Sequence, residues 1–175
     1  MLGESGRKTD NQLVKVTPRG LEVAADFGTL RSPESYLGYQ KAEAFASDAL
    51  QDAPHFYSVP KLSLNQWALA GDWTVKGGAV VLNKPDGQIV YRFHARDVNL
   101  IMGVPPGAQP VRFTVTVDGK PPGAAHGTDI DEQGNGTAGR QRTYQLVREQ
   151  QRIADRDFEI RFAEPGVEAF CFTFG

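Results

Sequence analysis

Strict two-residue alternation restricts the fold of this chain more than any other feature. Val111, Phe113, Val115 and Val117 interleave with Arg112, Thr114, Thr116 and Asp118, and Asp118-Gly119 then offers a turn. Residues two apart on an extended chain share a face, so the segment is a strand with one apolar and one polar side. Residues 89–95 and 158–162 alternate in the same way. Residues 167–174 place Phe170, Phe172 and Phe174 on one face and Ala169, Cys171 and Thr173 on the other. Shorter strands are expected at 67–75, 79–82, 98–102 and 143–147. Gly77-Gly78, Pro85-Asp86-Gly87, Pro105-Pro106-Gly107 and Pro121-Pro122-Gly123 lie between these segments and supply the fixed or positive φ of chain reversals. No long helical period intervenes, so parallel crossovers are not expected. The pattern predicts an all-β, antiparallel jelly-roll β-sandwich.

Residues 1–31 read as an arm leading from a preceding domain. Positions 1–12 are polar and without apolar period, 13–16 could form a short strand, and Thr17-Pro18-Arg19-Gly20 a turn. The sandwich is expected over 32–175. Its first part is mixed: Ser32-Pro33-Glu34 suits a helix start, whereas Ser35-Tyr36-Leu37-Gly38-Tyr39 has strand-like aromatics. A short helix is expected near 41–46, within a total of one or two at most.

The 175 residues suit one domain plus such an arm. Nineteen basic residues against 21 acidic give a net charge of −2, which provides no general attraction to nucleic acid or to an anionic membrane. No apolar run approaches the roughly 20 residues that a spanning helix needs, so no direct membrane insertion is expected. The first residues carry no apolar secretory core. Cys171 is the only cysteine, which excludes an intrachain disulfide, a cysteine zinc cluster and a two-cysteine redox motif.

Catalytic signatures are missing too. The sequence has no Gly-x-Ser-x-Gly elbow, phosphate loop, dinucleotide fingerprint or His-Glu-x-x-His helix, and its histidines are His55, His94 and His126. The chain therefore reads as non-catalytic, with no cofactor. Trp67 and Trp73 could stack on sugar rings if their faces are exposed; core burial of at least one is the stronger reading. Tyr36 and Tyr39 join them as contact candidates, because aromatic rings give large contact area at low ordering cost. His126 precedes an acidic loop in which Asp129, Asp131 and Asn135 resemble the front of a calcium loop. Gln133 and Arg140 stand where further oxygen ligands belong, which favours an ordinary turn with Asx side chains bonding backbone donors. Asn135-Gly136-Thr137 also fits a glycosylation acceptor. Arg92, His94 and Arg96 could form a cationic stripe or a plain outer sheet face. Cys171 reads as an inert small hydrophobe.

Several blocks carry a resemblance. They are Ser32-Pro33-Glu34-Ser35-Tyr36-Leu37-Gly38-Tyr39, Trp67 through Trp73, Phe93-His94-Ala95-Arg96-Asp97, Asp118 through Gly127 and Pro165 through Gly175. In order, they resemble the C-terminal domain of DipZ-type thiol:disulfide interchange proteins, from about Ser32 to the end. The resemblance implies a galactose-binding or carbohydrate-binding-module-like jelly roll outside the cytoplasmic membrane, preceded by a thioredoxin-like domain and often by a membrane-embedded electron-transfer domain. It implies an accessory role, with that thioredoxin-like domain as partner and a protein or glycan substrate at the β surface. The alternative is a module that recognises cell-envelope glycans. The family's Cys-x-x-Cys chemistry maps onto no residue here.

Overall fold

The computed structural model describes residues 17–175. The strand expected at 13–16 lies outside the described residues. Eleven strands follow in chain order: β1 (Ser35–Tyr36), β2 (Pro54–Tyr57), β3 (Trp67–Val75), β4 (Val80–Leu82), β5 (Gln88–Phe93), β6 (Asp97–Gly103), β7 (Val111–Val117), β8 (Asn135–Ala138), β9 (Arg142–Arg148), β10 (Arg156–Phe162) and β11 (Glu168–Phe174). The helical elements among the described residues are two 3-10 turns, Gly20–Glu22 and Gly123–Ala125.

Every ladder between named strands is antiparallel, and the order β8-β7-β10-β5-β3-β4-β11-β6-β9 curls into a sandwich. Strand β3 belongs to both layers. Its first half pairs with β5, and its second half pairs with β4 on one side and β2 on the other. Gly71, at φ +98, sits where the partner changes. A side chain is strained at that angle, so glycine lets one strand turn the corner between layers. The alternating strands behave as their pattern demands: β7 buries Val111, Phe113 and Val115, and β10 buries Phe158, Ile160 and Phe162. Tyr91 and Phe93 from β5 and Phe172 from β11 complete an aromatic centre, with Tyr91 and Phe172 ring centroids 5.1 Å apart.

Two local expectations are corrected. No helix forms at 41–46. Ala44 takes φ +55, outside the helical region, and the Ala46 amide donates to the Trp67 carbonyl instead of to a residue four back, while Trp67 N takes the Ala44 carbonyl. The aromatic reading of that segment holds instead, as β1 pairs with β11. In β11 the three phenylalanines do not share one face. A register shift between Ala169 and Cys171 breaks the period, so Ala169 and Phe172 reach the core with Phe174 packed against it, and Phe170 is left out.

Candidate functional site

The arm is tied to the sandwich by a buried carboxylate. Asp97, 3% exposed, opens β6 and faces Arg148 of β9. Its oxygens accept from Arg148 Nε at 2.7 Å and from Arg96 Nη2 at 2.7 Å. The two guanidinium groups then reach outward, Arg148 donating to the Gly20 carbonyl and Arg96 to the Ala24 carbonyl, both at 2.8 Å. Gly175, the last residue, pairs its backbone with that of Asp97. Farther along, Arg31 N donates to the His94 carbonyl, and buried Ser32 bonds Asn65 and the His94 amide. An ion pair this enclosed fixes geometry more than it adds stability.

Beside the arm, strand β1 and residues 41–44 border a groove of about 390 Å³ lined by Pro33, Glu34, Ser35, Tyr36, Lys41 and Glu43. Tyr36 is 39% exposed, and the Lys41 ammonium lies 5.0 Å from its ring centroid. The Glu34 carboxylate, by hydrogen bonding and by charge, raises the Tyr36 phenol above its usual range. Ser35 Oγ and the hydroxyl of the core residue Tyr91 meet at 2.6 Å. The groove thus offers one aromatic surface with carboxylates, an ammonium and a hydroxyl. Tyr39 is half-buried and spends its hydroxyl on Asp52 at 2.8 Å, which holds its pKa above normal.

The remaining candidates do not gather with Tyr36. Trp67 and Trp73 are both fully buried, as the stronger reading expected of at least one, and neither is the surface contact also considered. Trp67 stacks on Phe45 at 4.3 Å and donates Nε1–H to the Glu43 carbonyl, and Trp73 donates to the Ala70 carbonyl. Each indole has its polar edge satisfied and no face free for a sugar. His126 is half-buried, with Nδ1 at 2.9 Å from the Gly127 carbonyl and 3.0 Å from that of Ile130. Asp129 bonds Arg142 at 2.8 Å and the Gln145 amide at 2.7 Å. Asp131 caps the Asn135 amide at 2.8 Å and is held below the usual carboxylate range by it. The calcium-like residues therefore spend their carboxylates on this chain's own donors, and no group of three metal-ligating side chains occurs among the described residues. The cationic stripe is also paired off: Arg92 meets Asp157 at 2.9 Å and His94 meets Asp155 at 2.7 Å.

Cys171 is 2% exposed under β1, its thiol donating toward Glu34 at 3.5 Å. Burial, reinforced by Glu34, pushes its pKa up to about 12. A thiol so protonated is neither nucleophile nor ligand at ordinary pH.

The arm latch was missed from the sequence because its members are joined across distances as long as 128 residues. The adjacent Arg96-Asp97 pair was the one local sign of it.

Fold and site together define a class: a β-sandwich module with a docked N-terminal arm, a small amphipathic groove and a sealed thiol. The chain belongs to the family of thioredoxin-like C-terminal domains, whose family model matches residues 32–175. It is similar to Protein DipZ of Mycobacterium bovis and to Protein DipZ of Mycobacterium tuberculosis, 29% identical to each over 146 residues. The match covers 82% of this chain but 18% of either relative, so the chain spans less than a fifth of the curated relatives it matches. No helix among the described residues is long and apolar enough to cross a membrane.

Proposed function

We propose that this domain is a non-catalytic accessory module of an extracytoplasmic thiol:disulfide interchange protein. In this reading residues 1–31 form the link from a preceding thioredoxin-like domain, and residues 32–175 present a rigid β surface that positions that domain or its protein substrate. The observation that carries the reading is the state of the one thiol. A family named for thioredoxin-like proteins would need two reactive sulfurs to exchange a disulfide, and here the lone sulfur is sealed and protonated. The electron chemistry then belongs to the rest of the polypeptide, and the domain needs no cofactor of its own. Tyr36 is the foremost contact candidate, with Tyr39 beside it in sequence. The test compares the natural polypeptide with a version lacking this domain. Intrinsic dithiol reactivity is expected to persist while turnover of natural substrates changes; equal turnover of all of them would overturn the reading.

A second reading, recognition of cell-envelope glycans, is favoured by one feature, the groove over Tyr36 with donors and acceptors suited to vicinal hydroxyl groups. Nuclear magnetic resonance titration with cell-envelope oligosaccharides should then shift Tyr36, Lys41 and Glu43. Absence of any shift at millimolar sugar ends this reading.

A further inference from the structure

Two apolar side chains on the docked arm have no place in the core. Phe27 is 81% exposed and Leu21 is 52% exposed. Single exposed apolar residues are ordinary on a protein surface. These two differ in how they are held. Phe27 sits in a turn nailed from both ends of Asp26: the Asp26 carboxylate accepts from Gly28 N at 3.2 Å and Thr29 Oγ1 at 2.8 Å, and the Asp26 carbonyl accepts from Leu30 N at 3.0 Å. Leu21 is the middle residue of the Gly20–Glu22 turn, closed by Val23 N donating to the Gly20 carbonyl. Arg148 holds that same Gly20 carbonyl, and Arg96 holds the Ala24 carbonyl between the two apolar residues. Gly20 itself is buried, with Thr128 beside its Cα, so the backbone beneath Leu21 rests on the sandwich. The backbone ordering cost of presenting Leu21 and Phe27 has therefore been met before any partner arrives, which lowers the cost of their contact.

We infer that Leu21 and Phe27 form a pre-set docking face for the domain that precedes this one in the same polypeptide, so that the two domains move as one body instead of swinging on a free linker. The inference rests on the accessory-module reading for the existence of that domain. Three observations fix the occupant. The family is one of C-terminal domains, and the matched relatives continue for more than four-fifths of their length outside the match. The segment carrying both side chains lies on the N-terminal side of β1, the side from which a preceding domain would join the sandwich. The latch is built from the sandwich's own Asp97, so the direction in which the arm leaves is set by this domain. The partner surface is an apolar patch on the preceding domain, which covalent connection holds at raised effective concentration.

The test uses the natural polypeptide and the 175-residue chain side by side, each unaltered and as the double variant Leu21→Ser, Phe27→Ser. Amide hydrogen exchange is read at residues 20–30. In the longer polypeptide these amides should exchange at least about tenfold more slowly than in the 175-residue chain, and the double variant should abolish that difference while leaving the melting temperature of the 175-residue chain unchanged. Equal exchange in the two unaltered forms overturns the inference, as does extra protection that survives the double substitution. Insulin reduction by the longer polypeptide is scored separately: its absence would defeat the oxidoreductase reading while arm-dependent protection would still uphold the docking face.

Discussion

Asp97 and Arg148 stand opposite each other in the β6–β9 ladder, joined by hydrogen bonds of 2.7 and 3.1 Å although 51 residues separate them. The same guanidinium holds the Gly20 carbonyl, so one side chain links the sheet, the carboxylate and the arm. Replacing Asp97 by Ala leaves Arg96 and Arg148 without their shared counter-charge. The expected cost is about 3 kcal/mol in urea unfolding, together with faster exchange of the Gly20–Ala24 amides. Loss of stability with unchanged arm exchange would show that the carboxylate does not organise the latch.

The thiol supplies a prediction with a defined sign. In the folded chain Cys171 keeps its proton up to about 12, against 9.0 for a free thiol. The unfolded chain therefore loses that proton first as pH rises. This contribution to stability is fully present below about pH 9 and declines through about pH 12. The Cys171→Ala variant should show a flatter decline across that window, and Ellman's reagent should react with the native thiol only as fast as the domain opens. Rapid labelling of the native chain at pH 8 would contradict the burial.

Burial of both tryptophans is checked without mutation. Acrylamide should quench native fluorescence weakly and urea-unfolded fluorescence strongly, and a sugar bound at the Tyr36 groove should leave the quenching unchanged. Trp73→Ala should cost about 3 to 5 kcal/mol, as expected for a large aromatic removed from a filled core.

At the layer crossing, Gly71→Ala places a side chain at φ +98 with its Cβ 3.1 Å from Gly87 Cα. The expected loss is about 2 kcal/mol in denaturant midpoint analysis. The substitution Gly107→Ala has φ +84 but open space around the Cβ, and should cost less. The difference between them measures the crowding at the corner apart from the backbone strain.

How much of this could be read in advance depends on how local the cause is. Strands β5, β7 and β10 were legible because alternation is written residue by residue, and the stretch from Trp67 to Val75 was placed within its observed bounds. The corner within it was not, because Gly71 resembles any strand glycine until its two sets of partners are known. Strands β1 and β2 are short and owe their existence to β11 and β3, so their own sequences carry little signal. Tyr36 was singled out as an aromatic and does border a groove, whereas Trp67 and Trp73 looked alike in type and went to the core. Residue type alone cannot separate them: Tyr36 lies on β1, which pairs with β11 at the margin of the sheet, whereas Trp67 and Trp73 lie on β3, which is bound by β5, β4 and β2.

The manner in which the arm is fastened also decides how the domain answers to mechanical load. A pull along the arm from ahead of Gly20 falls first on the two carbonyl contacts made by Arg148 and Arg96, in series ahead of the β6, β9 and β11 ladders. Those few contacts would break under tension before the sheets are stressed, letting roughly a dozen residues pay out as slack while the sandwich stays whole.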